Sequence, residues 1–149
     1  MKESIEQFWN QQHFAVVGAS RRRDKFGNLV FREMKRAGYD VVPINRNRIP
    51  VEKCESYATV KDVGRPLDAA LLVISPEETE GALRQCADNG IRHVWIQKGA
   101  ESERAIALGD ELGLNVIHHE CALMFLTPTR FPHSLHKWTH IHLNKHHRE

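Results

Sequence analysis

Short apolar runs recur along the chain and alternate with segments of helical pattern. Five of these runs predict buried β-strands, over residues 14–17, 41–44, 69–74, 93–96 and 114–117. Continuous apolar runs of this length are typical of strands that are covered on both faces of a sheet. Pro43 in the second run indicates an irregular or edge strand, because proline has no backbone N–H to donate.

Helix start and stop signals lie between the strands. They predict helices over residues 28–37, 76–89 and 102–111. Gly38 and Gly90 follow the first two helices at the position of a C-terminal cap. We expect two further helical pieces, a lead-in over about residues 4–10 and a terminal piece over residues 134–143.

The alternation of strands and helices predicts an α/β fold. It is of the Rossmann-like, doubly wound type, with a five-stranded, mainly parallel sheet and helices on both faces. We expect a single domain over residues 1–149, with a His-rich helical extension at about 132–149. Ligands of such folds bind beyond the carboxyl ends of the strands, where the strand order reverses. Four loops qualify, and they begin at Gly18, Asn45, Ser75 and Gln97.

Composition and charge exclude several classes of function. The 149 residues carry 21 Lys and Arg against 19 Asp and Glu, and this net charge of +2 argues against a dedicated nucleic-acid-binding protein. No apolar run is long enough to cross a membrane, and the polar N-terminal residues 1–6 do not resemble a secretory signal. Three cysteines without CxxC spacing suit a reducing compartment, so we expect a cytoplasmic protein.

The first loop carries features of a phosphate-binding turn. Gly18 directly follows the first strand, and Gly27 lies near the start of the next helix, whose N–H groups and dipole attract anions. Four basic residues lie between them, namely Arg21, Arg22, Arg23 and Lys25. We favour phosphate binding here over a merely solvated basic turn. The loop is not the dinucleotide fingerprint, because Ser20 and Arg23 stand where further glycines are expected.

The second loop narrows the ligand class. An NAD-binding domain places an acid at the end of the second strand, to hold the ribose hydroxyls. Here Asn45 and Arg46 follow that strand, and Asp40 precedes it and so lies at its other end. An arginine at this place favours a phosphate on the ribose, which NADP and coenzyme A (CoA) both offer. The alternative is that Arg46 and Arg48 are two exposed arginines without a partner.

The third and fourth loops are less specific. Ile74, Ser75 and Pro76 join a strand to a helix, and Gln97, Lys98 and Gly99 follow the fourth strand. Both loops fit the lining of an adenine or pantetheine channel. Ordinary turn and capping chemistry also explains them, and without the other loops it is the preferred interpretation.

Several short stretches, in this order, resemble one family. They are residues 15–20, 38–45, 57–63 with 67–70, 94–100, 113–117 and 120–124. They resemble the stand-alone CoA-binding domain proteins, which are similar to the N-terminal, CoA-binding domain of the succinyl-CoA synthetase alpha subunit. The resemblance covers about residues 8–126.

The resemblance implies that the four loops bind CoA or an acyl-CoA. It implies phosphate contacts from one group of residues, namely Gly18, Ala19, Ser20, Arg21, Lys25, Phe26 and Asn28. Asn45 and Arg46 would lie near the 3′-phosphate or ribose. The third and fourth loops would contact adenine and pantetheine. Because the second domain of the synthetase subunit is absent from a chain of this length, we do not expect ligase activity.

Some cysteine and histidine residues suggest further chemistry. Cys121 follows the fifth strand, where its thiol is either a partner for the thiol of CoA or a buried small residue. We expect His118 and His119 to point to opposite sides of an extended chain and so not to share a metal ion. Histidines at the C-terminus share one helical face, either as a weak metal site or as part of a polar helix; they are His133, His136 and His140.

Catalytic motifs are not evident in the sequence. It contains neither a nucleophile elbow nor a Walker loop, and no two carboxylates converge on the predicted site. The favoured function is therefore binding of CoA or an acyl-CoA without catalytic machinery. The alternatives are a small NADP-dependent oxidoreductase and a CoA-sensing regulatory or interaction module.

Overall fold

Five parallel strands form one sheet in the order β2-β1-β3-β4-β5. The structure is a computed structural model that describes residues 1–126. The strands are β1 (His13–Val17), β2 (Asp40–Ile44), β3 (Ala69–Leu72), β4 (His93–Ile96) and β5 (Asn115–Ile117). All five predicted strands are confirmed. β3 ends before residue 74, because its partner β1 ends at Val17, which pairs with Leu72.

Pro43 lies in an edge strand, as its sequence predicts. Within the described residues β2 pairs along its length with β1 alone, so one side of the strand lies outside the ladder. The carbonyl oxygen of Pro43 accepts a hydrogen bond from the Tyr57 N–H at 3.2 Å. The edge position thus accommodates a residue that has no N–H of its own.

Helices cover both faces of the sheet. α1 (Lys2–Trp9) and α2 (Phe26–Arg36) pack on one face, and α3 (Pro76–Asp88) and α4 (Glu103–Glu111) pack on the other. Two short 3₁₀ helices complete the described elements, at Val60–Val63 and Ala122–Phe125. No helix of residues 1–126 is both long and apolar enough for a bilayer crossing. The predicted terminal helix and the His-rich extension lie outside the described residues.

Alternate strand residues supply the two halves of the core. Phe14 and Val16 face α1 and α2, whereas Ala15 between them faces α3 and α4. The α1 face is aromatic: the Phe8 ring lies 5.0 Å from Trp9, 5.4 Å from Phe14 and 5.3 Å from Trp95, measured between ring centroids. Edge-to-face pairs of this kind add about 0.5–1.5 kcal/mol each beyond the area they bury. α1 is therefore an integral part of the core.

Replacing Phe8 by alanine tests the contribution of α1. Phe8 is fully buried, and Phe8→Ala removes an aromatic ring from the core, so we expect a loss of about 3–5 kcal/mol in the free energy of unfolding. Urea denaturation measures it. The control is Gln7→Ala on the exposed side of the same helix, which should change stability by less than about 0.5 kcal/mol. Equal stabilities of the two variants would show that α1 is dispensable.

Candidate ligand-binding site

The strand order creates one crevice at the carboxyl edge of the sheet. After β1 the chain turns towards β2, and after β3 it turns the other way, towards β4. A cleft of about 600 Å³ lies at this point of reversal, a volume that suits a small-molecule ligand. Its walls come from the loops after β1, β2 and β3 and from the start of α3. Of the predicted site residues, Gly18, Ala19, Ser20, Asn45, Arg46 and Ile74 line it.

Two glycines allow three backbone segments to meet at this cleft. Gly18 has a φ of +107°, and a Cβ atom there would overlap the carbonyl oxygen of Val73 after β3. A Cβ atom on Gly27 would lie 2.9 Å from the carbonyl oxygen of Gly18. Only residues without side chains permit both approaches. They bring the first turn of α2 directly against the end of β1.

The N-terminus of α2 presents backbone donors beside the cleft. The N-cap residue is Lys25, whose side chain makes no capping hydrogen bond. The first helical bond runs from Leu29 N–H to the Lys25 carbonyl oxygen at 3.0 Å. The N–H groups of Phe26, Gly27 and Asn28 therefore have no acceptor within the helix. Such donors, with the positive end of the helix dipole, suit a phosphate group.

Asn28 shapes the loop through its side chain. Its Oδ1 atom accepts hydrogen bonds from Ser20 N–H at 2.8 Å and from Ser20 Oγ at 3.2 Å, and its Nδ2 atom donates to the Ser20 carbonyl oxygen at 2.6 Å. The residue is fully buried. The side chain of this predicted site residue is thus committed to the protein.

Glu52 forms a hydrogen bond with the side chain of Asn28. The sequence analysis did not identify Glu52 as a site residue. Its side chain is only 8% exposed and accepts hydrogen bonds from Asn28 Nδ2 at 3.0 Å, Arg32 Nη1 at 3.2 Å and Arg23 Nε at 3.1 Å. Glu52 and Lys53 form a tight turn with φ values of +49° and +66°. Burial acts to raise the pKa of Glu52, but the bond from Asn28 and the charges of Arg32 and Arg23 outweigh it and lower the pKa.

Asn45 and Arg46 connect β2 to the other walls of the cleft. Asn45 Nδ2 donates to the Ala19 carbonyl oxygen at 2.8 Å, which ties the second loop to the first. Arg46 forms an ion pair with Glu78 in the first turn of α3. Both side chains are substantially exposed, so the pair contributes little to stability. It bridges two walls of the cleft.

Other predicted residues lie at the rim or away from the cleft. Lys25, Ser75 and Pro76 are exposed at the starts of α2 and α3, and Phe26 packs against the core in the first turn of α2. Arg21 lines a different cleft, beside α2. The structure therefore brings residues of the first three loops together, whereas Arg21 belongs to another surface.

The fourth loop does not line this cleft. Gln97 is 6% exposed, and its Oε1 atom accepts a hydrogen bond from Ala122 N–H at 3.0 Å. Trp95 Nε1 donates to the Glu120 carbonyl oxygen at 2.9 Å. These bonds hold the segment around Cys121, which is a free, partly buried cysteine. Gln97 therefore has a structural role, and Lys98 and Gly99 beside it are exposed.

The expectation for His118 and His119 was wrong. Their Nδ1 atoms lie 2.8 Å apart, and their ring centroids are separated by 4.9 Å. His119 has a φ of +62°, so the chain is not extended there and the two rings meet. Residues 1–126 nevertheless contain no group of three or more side chains placed to hold a metal ion. The C-terminal histidines lie outside the described residues.

Comparisons with known proteins point to one family. The family model described as "CoA binding domain" matches residues 12–127. Over 128 residues the chain is 27% identical to the alpha subunit of acetate–CoA ligase [ADP-forming] II of Pyrococcus furiosus, a match that covers 78% of this chain but 28% of the subunit. It is 26% identical to the uncharacterized protein YneT of Bacillus subtilis, with 74% of this chain and 82% of that protein covered.

A solved structure has the same fold. A hypothetical protein from Pyrococcus horikoshii OT3 superposes with a TM-score of 0.77 at 27% identity, over 83% of this chain and 87% of that one. The match confirms the predicted Rossmann-like α/β fold. The ligase subunit is much longer, and the present chain spans little more than a quarter of it.

Alanine at Gly18 tests the close approach at the cleft. The new Cβ atom would overlap the Val73 carbonyl at a φ unfavourable for any other residue, so Gly18→Ala should lower the free energy of unfolding by at least about 2 kcal/mol. Gly81 in α3 also lines the cleft, yet a Cβ atom there meets nothing within 4 Å. Gly81→Ala should raise stability by up to about 1 kcal/mol. Equal effects in urea denaturation would contradict the packing described.

Stability should depend on pH through Glu52. A carboxyl whose pKa is lowered on folding stabilises the protein above its unfolded pKa, and this contribution disappears as pH falls through its folded pKa. Glu52→Gln should therefore be less stable than the native protein at neutral pH, with the difference shrinking below the ordinary glutamate value of 4.5. Urea denaturation across this range measures it. The exposed Glu55→Gln variant is the control, and a Glu52→Gln curve parallel to the native one would contradict the account.

Proposed function

We propose that this protein, which belongs to the CoA-binding domain family, binds coenzyme A or an acyl-CoA in the cleft between β1, β2 and β3. One observation carries the proposal. The loop after β1, the end of β2 with Asn45 and Arg46, and the loop after β3 line a single crevice of about 600 Å³, and α2 begins against Gly18 in its wall. That crevice has backbone donors on one side, and its opposite wall carries Glu77 and Glu78 beside the apolar Ile74 and Ala82.

The pyrophosphate would lie at the N-terminus of α2. The N–H groups at the start of α2 and the N–H of Ala19 would be the donors, and the exposed Lys25 adds a positive charge. Gly18 and Ser20 shape the turn on either side of Ala19, since their N–H groups already donate to the Ile44 carbonyl oxygen and to Asn28 Oδ1. The bonds between Asn28 and Ser20 hold the loop in one shape before the ligand arrives. A preformed loop lowers the entropy cost of binding.

The 3′-phosphate of CoA would engage Arg46. A phosphate group carries more charge than the Glu78 carboxylate and matches the guanidinium fork, so it can displace Glu78 from an exposed ion pair. Asp40, the acid nearest to this strand in sequence, lies at the amino end of β2 and pairs with Arg65 and His13. The NADP alternative places its phosphate at the same arginine, but neither the family match nor the named relatives support it.

Adenine and pantetheine would occupy the third wall. Ile74 lines the cleft beside Ala82 of α3, and Ser75 and Pro76 follow at the rim. The pantetheine arm would extend along the carboxyl edge of the sheet, past Gln97, Lys98 and Gly99. Cys121 lies beyond β5 in that direction, where the thiol or acyl end would arrive.

The proposal is confined to ligand binding. The relatives named as ligases have much longer chains, so their activity is not assigned to this one. We place the protein in the cytoplasm, in agreement with its three free cysteines. The CoA-sensing regulatory alternative uses the same site and stays a prediction.

Isothermal titration calorimetry with CoA and dephospho-CoA, which lacks the 3′-phosphate, tests the site. We expect CoA to bind more tightly, and Arg46→Ala to weaken CoA about tenfold or more while leaving dephospho-CoA unchanged, because a hydrogen-bonded charge contact is worth about 1.5–3 kcal/mol. Arg65→Ala is the control, since Arg65 pairs with Asp40 at the opposite end of β2. NADP is titrated in parallel. The proposal fails if CoA does not bind, and the site is wrong if Arg46→Ala and Arg65→Ala behave alike.

A further inference from the structure

A second cleft lies beside α2 and shares no lining residue with the first. Its volume is about 560 Å³, and it opens between α2 and the turn that contains Glu52 and Lys53. Six basic side chains line it against a single carboxylate, that of Glu52. The six are Arg21, Arg23, Arg32, Lys35, Arg36 and Lys53. In a chain with a net charge of only +2, this is a marked local concentration of positive charge.

Within residues 1–126, three of these cations have no acidic partner. Arg23 and Arg32 pair with Glu52, and Arg36 pairs with Glu33 at 2.8 Å. Within residues 1–126 no carboxylate pairs with the other three, which are Arg21, Lys35 and Lys53. Like charges gathered around one concave surface repel one another, and an anion between them removes that repulsion.

The walls of this cleft are held in place. The Glu52–Lys53 turn is closed by hydrogen bonds between Val51 and Cys54, at 2.9 Å and 2.8 Å, and is anchored by the buried Glu52 carboxylate. Both turn residues adopt positive φ values that only glycine adopts without cost, so the anchor maintains a strained turn. Lys53 therefore lines the cleft from a defined backbone position.

Glu52 offsets only part of the charge of the cleft, because one carboxylate faces six cations. Its two oxygens already accept from Asn28, Arg23 and Arg32, and its low exposure keeps it part of the wall. Phe31, which is 1% exposed, and the partly buried Cys54 also line the cleft. Six cations around a concave surface of about 560 Å³ suit a compact anion that is larger than a single phosphate.

We propose that this second cleft binds a small polyphosphate anion, with two or three linked phosphate groups. Inorganic triphosphate and the phosphate tail of a nucleotide share this chemistry, and separate titrations distinguish them. The proposal assigns Arg21 to this cleft, whereas the sequence suggested a contact with the phosphates of CoA. It is independent of the first site, because the two clefts lie on different surfaces of the loop after β1.

Calorimetric titration with inorganic triphosphate, and separately with ATP, tests the proposal at constant physiological ionic strength. Each is titrated into the free protein and into protein preincubated with CoA. The test variant is the double substitution Lys35→Ala with Lys53→Ala. The matched control is Lys61→Ala with Arg84→Ala, which removes the same charge from exposed positions outside this cleft. Circular dichroism checks that both variants are folded.

A second readout locates the anion. Cys54 lines the cleft, so a bound anion should slow its alkylation by iodoacetamide, measured by peptide mass spectrometry, without slowing that of Cys121. We expect one triphosphate per chain, with or without CoA, and at least a tenfold weaker affinity in the Lys35/Lys53 variant alone. Tighter binding of ATP than of triphosphate identifies the nucleotide as the source, and equal binding identifies the phosphate tail as sufficient.

Three results would overturn the proposal: no binding, equal weakening in both double variants, or displacement of triphosphate by CoA. Equal weakening would mean a general effect of charge, and displacement would mean that the anion had entered the CoA site. Failure of CoA to bind would refute the proposed function. The titration of triphosphate into free protein would still show whether the second cleft binds the anion.

Discussion

The close approach of three backbone segments is the constraint on which the site depends. Gly18 allows the end of β1 to touch the carbonyl of Val73, and Gly27 allows α2 to begin against Gly18 itself. Without these contacts the first turn of α2 would stand away from the carboxyl edge of the sheet. The helix dipole and the free N–H groups act over a short distance only, so this packing determines whether they reach a ligand.

Side-chain amides then hold the loop in shape. Asn28 in α2 forms hydrogen bonds with Ser20, and Asn45 after β2 donates one to the Ala19 carbonyl oxygen. The Glu52 carboxylate in the neighbouring turn accepts a hydrogen bond from Asn28. Each bond is modest, but together they connect three loops that are distant in sequence. The same Glu52 carboxylate forms a wall of the second, basic cleft, so one buried acid supports two surfaces of the protein.

Sequence reasoning found the strands and the main loops because their signals are local. Continuous apolar runs identified β1 to β5, and the parallel arrangement that they predict places Arg46 at the carboxyl edge of the sheet, where the cleft lies. It missed Glu52, because a turn contact with Asn28 over 24 residues leaves no periodic pattern. It also grouped Arg21 and Gln97 with the cleft, since sequence position alone does not say on which side of a helix or loop a side chain lies.

A titration with CoA, followed through amide chemical shifts by nuclear magnetic resonance, tests whether the ligand lies where the strand order reverses. The largest changes should cluster in residues 18–28, 45–47 and 74–76, around that point. Amides at the amino edge of the sheet, near Asp40 and Arg65, should stay unchanged. Changes confined to other surfaces, or no changes at saturating CoA, would contradict the proposed site.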